Sequence, residues 1–452
     1  MSSPPGEPSA LLPETAPAPG LAHRGLSLFR RLRTLLIGAA ARSGYLSAID
    51  QAVISLTNFL ASLILARSVS PTQFGVYGVG FILVHFFDAF QEGLIIQPLN
   101  TFGAALRLDE FRPYATLSFL FQLVLVAVCA LAALMVGSVL IATGNDTAGP
   151  TVRALSWMVI TWQLQEFLRR MFYTRGELNK AIINTGVTSA VRLVALLWLA
   201  GTTHMDGISG LNAITLGALA GTLLGLWQGR RYWTHRLPPA REYLVRDLKF
   251  GRWVSGGTVA NWVTLELYPV LAAWITSFAT AGAYRAIQNL VAPVHLLLRA
   301  TDTFLVPRTS RQFVEDGHQR VHRSMNLTYF FIGIPVVSLL VFVSVFAAPL
   351  LRWLYGDTYV VYAPGVPIMA LFYFLWYLYW PLQVSFKAVR QTRPIFVANL
   401  LAMASMLTVG LALIYRFGVY GTLSGQALNA FIVAVVLWLA WWQLRAAHNA
   451  EI

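Results

Sequence analysis

Apolar windows about 20 residues long, the length needed to cross the hydrocarbon layer of a bilayer, recur along this chain at roughly 44–66, 75–97, 115–141, 154–174, 181–201, 207–228, 250–277, 281–306, 325–351, 359–386, 394–415 and 418–443. Nothing else in the sequence constrains the fold as strongly. The fold class expected is therefore an all-α polytopic membrane protein with about twelve transmembrane helices. Composition agrees, because 12% charged residues against 57% hydrophobic is about half the charged share that a soluble surface requires.

Lys and Arg decide how such a chain threads. Of the 33 basic residues, 26 fall in the tail and loops on the side of the N-terminus, 4 fall on the opposite side (Arg67, Arg153, Arg352 and Arg416), and Arg192, Arg285 and Arg299 lie within spans. That asymmetry predicts cytoplasmic N- and C-termini. It also accounts for the net charge of +14 as topology signals and lipid-headgroup contacts, so no nucleic-acid partner is expected. The loops on the Arg-poor side are all short, which leaves no room there for an extramembrane catalytic domain. The single cysteine, Cys129, excludes a disulfide framework and a thiolate metal site.

The first 20 residues, rich in Pro, Ser and Ala, read as a disordered tail. The segment after them, to residue 43, reads as an interfacial helix on the cytoplasmic leaflet, with Leu26, Phe29 and Leu32 on one face and Arg30, Arg31 and Arg33 elsewhere. Beyond it lies an internal repeat. QFGVYGVG from Gln73 is echoed by TAGAYRAI from Thr280, pairing Gly75 with Gly282 and Tyr77 with Tyr284; GISG at Gly207 is echoed by GVYG at Gly418. The expected organisation is a six-helix bundle over 44–228, a basic cytoplasmic linker at 229–249, a second six-helix bundle over 250–443 and a cytoplasmic tail at 444–452. Six is even, so the halves enter from the same side and are related by a pseudo-twofold axis along the membrane normal, with a cavity at their junction near the midplane.

Two helices at equivalent positions carry ionisable side chains that a lipid-facing surface would not tolerate. On the second span His85, Asp88 and Glu92 share an arc of about 60°. On the eighth, Gln288, His295, Arg299 and Asp302 share another, with Arg285 nearby. A charge at the bilayer centre costs roughly 2.5–3.5 kcal/mol on insertion scales unless paired or hydrated, so both strips are expected to face a wet central cavity. The bland reading is an ion pair of Asp88 or Glu92 with Arg299 that locks the halves together. Arg192 and Glu266, also within spans, divide evenly between cavity lining and structure. Glu166 and Arg169 are read as snorkelling at a span end, and Asp50 as interfacial. The aromatic run Leu371 to Trp380 is read as packing rather than a sugar platform. Pro269, Pro293 and Pro381 are candidate bend points.

No GxxxxGK loop, HExxH, GxSxG or Cys/His metal pattern is present, so neither an ATP engine nor covalent catalysis has a motif, and no cofactor or metal is expected. At this point a resemblance bears on function. LARSVSPTQFGVYGVG, PLLRWLYGDTYVVYAP and RFGVYGTLSGQALNAF resemble, in that order, segments of the polysaccharide transporter (Wzx-like) family of the multidrug/oligosaccharidyl-lipid/polysaccharide (MOP) flippase superfamily. The resemblance implies a bacterial inner-membrane flippase, not an enzyme. It would carry an undecaprenyl-pyrophosphate-linked oligosaccharide from the cytoplasmic to the periplasmic leaflet, beside a polymerase and glycosyltransferase assembly. Cavity cations, with Arg285, His295 and Arg299 as candidates, would draw the pyrophosphate. Asp88 and Glu92 depart from an all-cationic cavity. Either they hold Arg299 until substrate arrives, or they bind a coupling H+ or Na+, with His85 as a proton relay. The competing readings are a cation-coupled drug antiporter of the same architecture, a membrane-bound glycan enzyme, and a scaffold for a biosynthetic assembly.

Overall fold

The computed structural model describes residues 39–202, 205–388, 391 and 393–450, with the side chains of 39–43, 261, 295–296, 299–328, 331, 387–388 and 445–450 excluded. The N-terminal tail, the interfacial helix expected ahead of residue 39 and the side chains of the last residues thus lie outside the described residues. Every described element is helical. The order is α1 (Ala39–Ser68), α2 (Pro71–Gln91), α3 (Leu108–Ala142), α4 (Ala148–Thr174), α5 (Leu178–Ala200), α6 (Gly207–Gln228), α7 (Ala240–Ile275), α8 (Phe278–Val345), α9 (Ala347–Tyr355), α10 (Gly365–Ala388), α11 (Arg393–Ser405) and α12 (Leu411–Ala450).

These elements carry the twelve expected spans once two long helices are read correctly. A straight α8 of 68 residues would be about 100 Å long. Yet its first residue lies under Gly75 of α2, and α9, which follows its last, brings Tyr355 within 6.5 Å of the Phe74 ring on the same turn of α2. Both ends therefore meet at the Arg-poor side, so α8 doubles back and supplies two spans. Likewise α12 breaks at Gly418, whose φ of 56° is a left-handed conformation suited to glycine, and supplies the turn between the last two spans. Among the described residues seven helices pass a test of length and apolarity for spanning, and a bent pair, Ile332–Val345 with Ala347–Tyr355, adds one more. The fourth, seventh and eighth expected spans fall short of that test. α4 and α7 fall short because they carry polar side chains to the cavity described below.

The pseudo-twofold axis can be located in the packing. A Cβ on Gly75 would stand 3.1 Å from the Gly282 nitrogen, and one on Gly282 would stand 3.0 Å from the Gly75 nitrogen. Residues equivalent in the repeat thus touch each other, as a twofold axis between them requires. The same glycines let the α2 and α8 backbones meet: either Cβ would collide with a carbonyl of the other helix, Phe278 or Pro71. Around this crossing the Arg-poor end is closed. Phe74 packs on Tyr355 and Tyr359, and Arg67 of α1 donates to the Leu354 carbonyl at 2.7 Å and to the Trp353 carbonyl, capping the C-terminus of α9.

α2 continues to Gly103 through two π-helical turns, Glu92–Ile96 and Leu99–Gly103, around Pro98, which cannot donate a backbone bond. α7 divides its allegiance. Tyr114 of α3 bonds Asp247 at 3.0 Å, Thr258 bonds the Ala89 carbonyl at 2.9 Å and Trp262 bonds the Ile82 carbonyl at 3.2 Å, all in the first bundle. From Leu265 onward its bonds go to α12, through Gln426 at 3.3 Å and the Gly425 carbonyl at 2.9 Å. The side-chain hydrogen bonds of α7 thus go to α2 and α3 over its first half and to α12 over its second, while Val270 and Ala273 still pack on Val79 of α2.

Candidate functional site

Between α1, α2, α4, α5, α7 and α8 lies a cavity of about 480 Å³. It reaches from mid-helix toward the Arg-rich ends and stops below the glycine crossing. The α2 strip faces it. His85, Asp88 and Glu92 all line the wall, as do Phe81 and Gln91. The His85 Nδ1 lies 2.6 Å from the Phe81 carbonyl, and because a carbonyl only accepts, that nitrogen carries the proton. Asp88 Oδ2 accepts from the Trp162 indole at 2.9 Å, while its buried Oδ1 has no partner among the described residues. Glu92 accepts from Gln97 at 2.6 Å, a bond made across the first π turn.

α4 contributes a charged cluster. Arg169 bonds Asp50 of α1 at 2.7 Å and grips Glu166 through two bonds of 2.9 and 2.7 Å; Arg170 bonds the same Glu166 at 2.7 Å, and Tyr173 bonds Asp50 at 2.6 Å. This corrects two expectations. Asp50 is not interfacial but 1% exposed, and Glu166 and Arg169 do not snorkel but form a nearly buried network on the cavity wall. The reason is that residues 162, 165, 166, 169 and 170 share the α4 face that lines the cavity, from which Arg169 reaches the Asp50 carboxylate of α1. Two arginines against two carboxylates leave this cluster neutral.

Arg192 and Arg285 are held differently. Arg192, 4% exposed on α5, donates to Asn58 at 2.7 Å and to the Tyr77 hydroxyl at 2.5 Å. Arg285 on α8 donates to Gln288 at 3.1 Å. Neither has a carboxylate partner among the described residues, and the Nε of each is buried without a hydrogen bond. Both line the cavity, one from each bundle, as does Glu266 of α7. Gln288 is absent from the wall described; it accepts from Arg285 and donates to the Tyr284 hydroxyl at 3.5 Å. The side chains of His295, Arg299 and Asp302 lie outside the described residues, and with them the proposed pair of Asp88 or Glu92 with Arg299. Among the described residues no group of three His, Cys, Asp or Glu could hold a metal ion.

Sequence reading passed over several wall residues: Phe81, Trp162, Trp262, Asn58 and Arg170. Phe81 follows the strip at i−4 from His85, so its face was readable, but an apolar ring in a span reads as core. The Leu371–Trp380 run packs rather than lining the cavity: Phe372, Tyr373, Trp376, Tyr377 and Tyr379 are buried in the large core cluster that extends across both bundles.

The cavity thus has a positive pole at Arg192 and Arg285 and carboxylates at Asp88, Glu92 and Glu266, between two bundles closed at one end. Solved proteins share this architecture. An inward-facing multidrug resistance MATE transporter of the MOP superfamily superimposes with a TM-score of 0.69 at 15% identity, covering 88% of this chain and 95% of that one. The lipid II flippase MurJ, in an inward closed conformation, gives 0.61 at 12% identity, covering 88% and 87%. A MOP transporter from Pyrococcus furiosus, whose binding pocket is described as reversed in polarity, gives 0.62 at 16% identity, covering 91% and 96%. No curated protein sequence matches the chain. Residues 64–364, two thirds of the chain, match the sequence profile of a family described as polysaccharide biosynthesis protein. The chain therefore belongs to the polysaccharide biosynthesis protein family and is a multi-pass membrane protein that shares the fold of these MOP superfamily proteins.

Proposed function

We propose that the protein carries a polyprenyl-pyrophosphate-linked oligosaccharide from the cytoplasmic to the periplasmic leaflet of a bacterial inner membrane, by alternating access. What carries this reading is the pair Arg192 and Arg285, one guanidinium per bundle, facing one cavity with only neutral hydrogen-bond partners among the described residues. Leaving such cations without a counter-charge in a membrane interior is costly, and a pyrophosphate supplies charge-assisted bonds to both. Arginine's planar fork suits phosphoryl oxygens better than a lysine would. Because the two arginines come from opposite bundles, the bound anion draws the bundles together, and the cavity, closed beneath Gly75 and Gly282, is in the state that receives cargo from the Arg-rich side. The family assignment and the fold shared with a lipid II flippase support the same substrate class. A polymerase and glycosyltransferases are the expected neighbours, since the flipped glycan must be made on one side and extended on the other.

A second reading has its own observation. Asp88, Glu92 and Glu266 line the cavity without ion pairs among the described residues, which suits a coupling H+ or Na+, or a hydrophobic cation in an antiporter. One experiment separates the two. Proteoliposomes containing the full chain are loaded with a fluorescent polyprenyl-pyrophosphate disaccharide, and its appearance in the opposite leaflet is followed by periodate or lectin access. Transport by the wild type that Arg285→Ala abolishes supports the flippase. Ethidium movement driven by a cation gradient, with no glycolipid movement, supports the antiporter instead.

A further inference from the structure

The geometry points to Phe81 as the positioning residue of the arginine pair, and through it as the residue that makes the cavity prefer a diphosphate over a monophosphate; this rests on the function proposed above. The ring of Phe81 lies 5.7 Å from the Arg192 guanidinium carbon and 5.3 Å from that of Arg285. Each cation is within cation–π reach of the same ring, so the two are separated by less than twice the longer distance. Like charges brought this close repel one another, and the negative π faces of the ring offer both a shared partner.

The ring is itself fixed. It is 6% exposed, stacks on Tyr77 at 6.2 Å and 14°, and meets His85 and Trp162 edge-on at 4.7 and 6.0 Å. Tyr77 is also the hydroxyl that accepts from Arg192, so the aromatic stack and the arginine hold each other in register. Arg192 stands on α5 of the same bundle as Phe81, whereas Arg285 stands on α8 of the other. The ring therefore sets the distance and mutual orientation of two donors that no backbone element connects directly. An anion with two phosphoryl groups can occupy both forks at once, and one with a single phosphoryl group can occupy only one. The N–H groups of the two guanidiniums left over from their bonds to Asn58, Tyr77 and Gln288 supply donors for that purpose.

The test is binding of farnesyl diphosphate and farnesyl monophosphate to the full-length protein in nanodiscs, measured by calorimetry. The wild type is expected to prefer the diphosphate by about tenfold or more. Phe81→Leu should weaken the diphosphate about tenfold while leaving the monophosphate within about threefold, so that the preference collapses. Mono-, di- and trifluoro-phenylalanine at position 81 keep the ring's shape and progressively weaken its π face. Diphosphate affinity should fall stepwise along that series, which guards against a leucine variant that does not fold. An unchanged preference in Phe81→Leu, equal weakening of both ligands, or a flat fluorination series overturns the inference while leaving the flippase reading standing. A wild type that binds neither farnesyl ligand overturns both.

Discussion

The first bundle buries Asp50, Gln91, Gln122, Gln163, Gln165, Asn184 and Arg192, whereas the core of the second is filled by Phe372, Tyr373, Trp376, Tyr377, Tyr379, Phe386 and Trp441. The two are related by the twofold axis at which Gly75 meets Gly282. What they hold inside differs. The first bundle's polar groups form continuous networks, such as Gln91 to Gln122 at 3.1 Å and Gln122 to Gln163 at 3.3 Å, because a polar group in a membrane protein must find its partner inside the protein. In the second bundle aromatic hydroxyls are satisfied by backbone carbonyls instead, as Tyr377 donates to the Tyr329 carbonyl and Tyr329 to the Leu378 carbonyl, each at 2.6 Å. Most of the cavity wall comes from the first bundle; the second sends Arg285, and α7 sends Thr258, Trp262, Leu265 and Glu266. A repeat preserves backbone architecture while leaving each copy free to specialise, here one as the chemical half and one as the packed half.

The comparison breaks most visibly at the axis. Gly75→Leu and Gly282→Leu should each cost the closed arrangement roughly 3 kcal/mol or more, shifting its population by more than about 100-fold, because backbone rather than side chain stands in the way. Transport assays with thiol labelling from the Arg-poor side should find both variants inactive and open there. Gly257→Leu, with nothing within 4 Å of its Cβ position, is the control expected to remain active. Unequal effects of the two axial glycines would show that the halves are not mechanically equivalent.

Next in size are matched lesions in the two interiors. Arg169→Ala strands Asp50, whose side chain is 1% exposed, and should destabilise the first bundle by about 3–5 kcal/mol in detergent unfolding; adding Asp50→Asn should recover part of it. Trp376→Ala opens a void in the second bundle at a similar cost of about 3–5 kcal/mol. The two should part company in ligand binding. Arg169 borders the cavity and its loss should alter affinity for a prenyl diphosphate, whereas a folded Trp376 variant should bind as the wild type does. Loss of affinity in the Trp376 variant would contradict the division of labour.

Much of this was legible in the sequence, for reasons that also mark where legibility ends. The spans, the six-plus-six repeat and the α2 strip are local patterns of length and 100° periodicity, which survive folding because a helix imposes them on itself. The Asp50–Arg169 pair is separated by 119 residues, and nothing in either neighbourhood announces the other. Each looked like a charge near a span end, so each was read alone. Phe81 was missed because an apolar ring carries no sign in a sequence; only the two guanidiniums beside it reveal its use. The allegiance of α7 was hidden for a different reason. Thr258, Trp262 and Tyr268 lie on one continuous helix, and the change of partner between them is a property of the surfaces it meets.

That seam on α7 yields the smallest effect. Trp262 bonds α2 and Tyr268, six residues on, bonds the Gly425 carbonyl on α12. Tyr268→Phe removes one hydroxyl from a fully buried site, keeps the ring packed against Gly410 and Gly425, and leaves the carbonyl short of a donor. The expected cost is about 1 kcal/mol, near the net worth of a single buried hydrogen bond. Its location gives that small cost a use. If the second half of α7 belongs to the second bundle, the loss should appear as faster hydrogen exchange in α11 and α12, with α2 and α3 unchanged. Exchange that rises instead along α2 would mean the whole of α7 moves with the first bundle, and the seam would have to be redrawn at the α7–α8 turn.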